Sequence, residues 1–177
     1  MADPAAPDST VPDSNIRPHG GLWFEELTPG LVVHHRIRRT VTETDNIMFT
    51  TMTMNPAALH LDFDYAEKET QFGKPLVNSM FTAAVVVGIS VHETTHGTTI
   101  ANLGFTDMNF PAPVFHGDTL RVVSEVISAR PSKSKPDQGI TLFEHRAYNQ
   151  RDEMVAIMRR NALMWSNTSA AAQSASS

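Results

Sequence analysis

From Leu31 to Val41 apolar and polar positions alternate. Val33, Ile37 and Val41 fall on one face and Arg36, Arg38 and Thr40 on the other, a period of two that predicts a half-buried strand. His34 and His35 are adjacent and point to opposite faces, so both read as surface or edge residues. Strand patterns dominate the second half of the chain. Thr99–Phe110 alternates until Pro111-Ala112-Pro113, and Asp118–Ala129 places Leu120, Val122 and Val126 on one face. Ile140–Tyr148 and Met154–Trp165 follow, joined by the turn Asn149-Gln150-Arg151-Asp152. Short turns between neighbours imply antiparallel pairing.

One stretch departs from this alternation. Met80–Val91 contains Ala83, Ala84, Val85, Val86, Val87 and Ile89 and no charge. A helix this apolar on every face must be covered on all sides. It is too short to cross a bilayer, which takes about 20 apolar residues. Asn78 and Ser79 stand where N-cap residues stand. The first amides of the helix carry partial positive charge and can hold an anion, or an oxygen that becomes anionic. Two short helices are expected earlier. Thr42-x-x-Asp45 approximates a capping box ahead of Ile47, Met48 and Phe49, and that helix ends before Pro56. Asp62–Glu69 forms the second, with Tyr65 and Ala66 inward. An early strand, a central apolar helix and a late antiparallel run make an α+β architecture, with the sheet curled around the helix at about 80–91.

The 177 residues suit one domain, which the patterns place at 20–165. Residues 1–19 are small, polar and Pro-rich, and 166–177 are Ser/Ala-rich, so both are expected to be disordered. A formal net charge of −5 argues against a nucleic-acid partner. Without cysteine there is no disulfide framework and no thiol nucleophile. No basic-then-apolar leader and no membrane-length run is present, so a cytoplasmic protein without a membrane partner is expected.

His92-Glu93-Thr94-Thr95-His96 fits the H-E-x-x-H pattern of zinc peptidases. That chemistry needs both histidines on one helical face and a third ligand. Thr94 and Thr95 are poor helix formers, Gly97 is a C-cap residue, and Thr99 rather than Gly lies three after His96. The motif reads as a polar helix end, and no metal is expected. His60 carries the one evident side chain that ordinarily titrates near neutrality in the loop before the central helix. By itself it reads as a structural histidine. Asp45 and Asp62 read as helix-start residues and Asp118 as a turn residue. Arg130, Lys133 and Lys135 surround Pro131 and Pro136, as either a solvated loop or a phosphate contact. Arg159 and Arg160 alternate faces on the last strand, one away from the core and the other toward the site or a subunit interface.

Four segments occur in order: Thr42-Glu43-Thr44-Asp45, Asn55-Pro56-Ala57-Ala58-Leu59-His60-Leu61-Asp62, Phe72–Met80 and Pro113-Val114-Phe115-His116-Gly117-Asp118-Thr119-Leu120. Together they resemble the hot-dog fold and, within it, the MaoC-like dehydratases or (R)-specific enoyl-CoA hydratases, over about residues 22–165. The resemblance implies an enoyl-CoA hydratase, with a coenzyme A thioester as substrate, no separate cofactor, and a homodimer or higher homo-oligomer. The family loop reads Gly-Asp-x-Asn-Pro-(Leu/Ile/Val)-His, with its aspartate five before the histidine. Here that place holds Asn55, or Thr53 if the Asn-Pro pairs are aligned, so the acid is missing. The family glycine whose N–H holds the thioester oxygen is matched by Ser79. The implied roles are His60 as base and then acid, Asn55 positioning water and the Ser79 amide polarising the carbonyl. Asn78 and Met80 would flank the substrate, and Arg130, Lys133 and Lys135 would take coenzyme A phosphates. The Asn-Pro-x-x-Leu-His loop and the Pro136–Ile140 strand opening resemble a subgroup associated with mesaconyl-, itaconyl- or methylglutaconyl-CoA. A distal carboxylate there needs a cation, for which Arg146 or Arg159 is the expected partner. A hot-dog acyl-CoA thioesterase and a non-catalytic acyl-CoA-binding subunit are the alternatives.

Overall fold

In the computed structural model, which describes residues 20–168, the apolar stretch forms one helix, Ser79–Thr94. Six elements precede it: a one-turn 3-10 helix (Phe24–Glu26), strands β1 (Val32–His34) and β2 (Arg39–Thr40) and helices α1 (Glu43–Met52), α2 (Ala58–Leu61) and α3 (Phe63–Lys68). The central helix is therefore α4. Four long strands complete the fold, β3 (Thr99–Asn109), β4 (Thr119–Pro131), β5 (Gln138–Tyr148) and β6 (Met154–Trp165). The sheet runs β1-β4-β5-β6-β3, all antiparallel, with β2 also on β4. The disorder expected of residues 1–19 and 169–177 lies outside the described residues.

Helix α4 lies on the inner face of the sheet. Val86 and Ile89 share a core with Leu120, Val122, Ala147, Ala156 and Met158. The described residues do not cover the helix on all sides as expected. Met80 is 54% exposed, and Ala84 and Gly88 are exposed with it at helical spacing. The helix also runs three residues beyond Val91, ending where Gly97 takes a positive φ of 76°.

The early strand expected over Leu31–Val41 is broken in two. His34 pairs opposite Val123 and Arg39 opposite Leu120, five residues of advance against three, so the intervening chain is pushed out and Ile37 is 46% exposed. Tyr65 also faces out rather than in, at 42% exposure, while Ala66 is buried. The end of the domain extends past Trp165. Ser166, expected in the tail, is 5% exposed, and its hydroxyl donates to Glu25 Oε1 at 2.5 Å while the Asn167 amide donates to Glu25 Oε2 at 3.0 Å.

His35 is the largest departure. It follows Val33 by two, so it points inward, and it is 7% exposed. It belongs to a buried polar chain. Arg160 Nε donates to His145 Nε2 at 2.9 Å. His145 Nδ1 lies 2.6 Å from Ser124 Oγ, His35 Nε2 lies 2.7 Å from the same hydroxyl, and His35 Nδ1 lies 2.6 Å from Glu93 Oε2. A guanidinium cannot accept, so His145 Nε2 is the acceptor and its proton is on Nδ1. That proton goes to Ser124, whose own proton goes to His35 Nε2, and the His35 Nδ1 proton goes to Glu93. Both imidazoles are neutral, and every bond is satisfied in one direction only. Burial, with the Arg160 charge beside it, holds His145 well below its ordinary value, and burial likewise lowers His35. Burial brings Arg160 down to about 10. Glu93, the glutamate of the H-E-x-x-H motif, is thereby committed to His35 and to the Arg36 amide at 3.1 Å.

Candidate active site

The site is assembled at the first turn of α4. Asn78 caps the helix, its Oδ1 accepting from the Met80 amide at 3.0 Å. The Ser79 amide, one residue earlier, meets no acceptor among the described residues, and Ser79 is exposed. Ser79 lines a cavity of about 190 Å³ together with Phe72, Leu76, Phe110, Pro111 and Val114. The walls are apolar, and the helix tip supplies partial positive charge at one end.

His60 sits on α2 rather than in an open loop. It is 9% exposed, and its Nδ1 lies 2.7 Å from the carbonyl of Leu76, a residue of the cavity wall. A carbonyl can only accept, so the proton is on Nδ1 and Nε2 carries the free lone pair. The Leu59 carbonyl takes the Leu76 amide at 3.1 Å, so the His60 turn and the cavity wall are joined twice. Asn55 is half-buried and makes an Asx turn, its Oδ1 accepting from the Ala57 amide at 3.0 Å. Its oxygen is thus in use, and its NH₂ is the end left for a water. Among the described residues no carboxylate hydrogen-bonds to His60. Asp62 caps α3 through the Tyr65 amide at 3.0 Å, and Asp45 completes the capping box with Thr42. Asp118 holds the Phe115 amide, Gln150 and Arg151, which together keep its carboxyl below the ordinary range.

One residue that the sequence did not single out joins these parts. Asn46 on α1 is fully buried. Its Oδ1 accepts the Asn78 amide at 2.9 Å. Its Nδ2 faces the carbonyls of His60 at 3.3 Å and Leu76 at 3.2 Å and the Nε2 of His116 at 3.1 Å. The capping box fixes where α1 starts and so which residues turn inward; Asn46 and Thr50, four apart, share the buried face. His116 is half-buried beside the Phe63 ring, and burial lowers its pKa despite the opposing pull of Glu43.

The remaining expected residues are not brought to this site within one chain. Arg130, Lys133 and Lys135 are exposed at the far end of β4. The site lies at the near end, where Val77 bonds Val114 and Leu76 bridges Phe115. Thirteen strand residues at roughly 3.3 Å each separate those ends. Arg146 and Arg159 lie on the outer face of the sheet, because alternation puts His145 and Arg160 inside. Arg146 pairs with Glu125 at 2.5 Å and Arg159 with Glu144 at 2.8 Å, so neither serves a substrate carboxylate in the cavity. A cation that does stand near the cavity is Lys74, whose Nζ lies 4.1 Å from the Phe115 ring centre; Phe115 packs edge-on against Phe72 of the wall. His92 and His96 are exposed with ring centres 6.1 Å apart, and among the described residues no group of three or more potential ligands could hold a metal. No helix among the described residues is long and apolar enough to cross a membrane.

Comparison with known proteins places this arrangement. The family described as MaoC like domain matches residues 25–147. A β-methylmalyl-CoA dehydratase of Chloroflexus aurantiacus is 31% identical over 135 residues, which are 76% of this chain and 38% of that protein. A mesaconyl-CoA hydratase of Cereibacter sphaeroides is 27% identical over 140 residues, 79% of this chain and 40% of that protein. The chain thus spans about two fifths of the length of these curated relatives. In three dimensions it is similar to a Mycobacterium tuberculosis protein with a double hot-dog fold, with a TM-score of 0.73 at 24% identity, over 84% of this chain and 46% of that one. The fold is therefore an α+β hot-dog.

Proposed function

The chain belongs to the MaoC-like domain family, and on that premise we propose that it is a hydratase/dehydratase acting on the conjugated double bond of an enoyl-CoA. The observation that carries the reading is the His60 tautomer, fixed by the Leu76 carbonyl with Nε2 free to act as a base. His60 Nε2 takes one proton from water as the water oxygen bonds to the β-carbon. The π electrons move toward the thioester, whose oxygen becomes enolate-like. The Ser79 amide and the α4 dipole stabilise that oxygen. The imidazolium then returns its proton to the α-carbon, so that one water is added and the base is restored. Asn55 orients the water through its NH₂. Proton transfer of this kind is worth about 10²–10⁴-fold.

The acyl group we propose is short and branched or dicarboxylic, as the names of the two curated relatives suggest. Lys74, over the Phe115 ring that packs against Phe72 of the wall, supports it by offering a cation that Arg146 and Arg159 do not. Coenzyme A is the carrier of the substrate rather than a separate cofactor. Arg130, Lys133 and Lys135 reach its phosphates only from a second copy. A homo-oligomer is supported by two features: β3 pairs with β6 along one edge only, and the Met80–Ala84–Gly88 stripe of α4 is uncovered.

The test is the loss of enoyl absorbance on adding protein to crotonyl-CoA and to branched dicarboxylic thioesters. Turnover that falls about 10²–10⁴-fold in His60→Ala supports the reading. Full turnover in that variant, or release of free thiol instead, overturns it. The absence of a carboxylate on His60 favours a non-catalytic acyl-CoA-binding subunit as the second reading, and binding with no turnover would establish it.

A further inference from the structure

Asn46 is a single side chain whose two ends reach the two halves of the candidate site. Its orientation is fixed, because the Asn78 amide must meet an oxygen. The Nδ2 end therefore points at the carbonyls of His60 and Leu76 and at His116 Nε2. His116 accepts there, so its own proton is on Nδ1. The Leu76 carbonyl receives two donors, His60 Nδ1–H at 2.7 Å and Asn46 Nδ2–H at 3.2 Å. At the other end, Asn78 is the cap that starts α4 immediately before Ser79. Moving Asn46 would move both the ring that takes the proton and the amide that holds the oxygen.

We propose that Asn46 is a positioning residue, holding the His60 ring through the Leu76 carbonyl and the Ser79 amide through Asn78 at a set separation. The inference rests on the hydratase reading for its kinetic consequence, but not for its structural one. A misplacement of about 1 Å between reacting groups costs about 10²-fold in rate. The cost falls on kcat, because Asn46 does not itself line the cavity and meets its wall only through the Leu76 backbone carbonyl.

The test uses Asn46→Asp in the full chain. It keeps the size and the acceptor for Asn78 but removes both donors, and it sets an oxygen against two carbonyl oxygens. The expected result is a fall in kcat of about 10²-fold with KM within threefold. Nitrogen NMR of the ligand-free proteins is read alongside it. The wild type should show His60 and His116 both protonated on Nδ1, and the variant should carry a proton on His116 Nε2, because the new carboxylate oxygen can only accept from that ring. Asn46→Gln keeps both donors and, if the longer chain is accommodated, should recover part of kcat. A wild-type His60 protonated on Nε2, or an unchanged kcat in a folded Asn46→Asp protein, overturns the proposal. Should that variant fail to fold, the wild-type NMR result and Asn46→Ser decide. A wild type without turnover but with the expected tautomers would reject the hydratase reading and leave the positioning claim standing.

Discussion

Replacing Ser124 with alanine removes the middle of the buried chain from Arg160 to Glu93. The hydroxyl takes the His145 Nδ1 proton and gives its own to His35 Nε2, and Ser124 is only 1% exposed, so water is not at hand to replace it. Two buried groups lose their partners, a donor on His145 and a lone pair on His35. An unsatisfied buried group costs about 1–3 kcal/mol, giving roughly 2–6 kcal/mol for the pair. For a chain of this size each kcal/mol moves Tm by about 2–4 °C, so Ser124→Ala should melt roughly 4–24 °C lower. Circular dichroism melts at pH 7.5 measure this, and urea titrations give the free energy separately. Ser124→Cys, with a weak donor and acceptor of larger volume, should fall between. A Ser124→Ala protein melting within 1 °C of wild type would refute the one-directional chain, because neither histidine would then depend on the hydroxyl.

The remaining predictions are independent of this variant. His35 and His145 are held below their ordinary range in the fold, so below about pH 6.5 the unfolded chain binds more protons than the native one. Stability is complete above that pH and falls as pH drops, by at most about 1.4 kcal/mol per pH unit for each histidine; urea titrations at pH 5, 6 and 7.5 should show the loss. Lys74→Met should raise KM for a dicarboxylic enoyl thioester by several-fold and leave crotonyl-CoA unchanged, measured by steady-state hydration rates. A Cβ on Gly139 would overlap the Phe24 ring, so Gly139→Ala should displace Phe24 and cost about 1–3 kcal/mol, read from the thermal melt.

The parts of the fold that follow from local rules were legible in the sequence. The capping box at Thr42 and Asp45, the cap at Asn78 and the alternation of Leu120, Val122 and Val126 each need only neighbours along the chain, and each is present. The early strand was not legible in full, because its break comes from the register of β4, nearly ninety residues later. His35 was readable in principle: the alternation that buries Val33 also buries it, but a pair of adjacent histidines suggested an edge. Arg146 and Arg159 were assigned to the substrate without the parity that puts His145 inside. Asn46 could not be found from spacing, since its partners come from the His60 turn, the Leu76 segment, the start of α4 and the turn at His116. The candidate site residues His60, Asn55 and Ser79 come from matching motifs. Coordinates add the tautomer of the first and the turn held by the second.

Glu25 clasps Ser166 and Asn167, which brings the two extremities of the described chain side by side. Topologically the domain is nearly a closed loop. A short flexible connector from residue 168 to residue 20 would complete the ring, and scission in the exposed hairpin around Ser134 would open it elsewhere. Such a rearranged gene product would keep every strand pairing while beginning in β5 and finishing in β4.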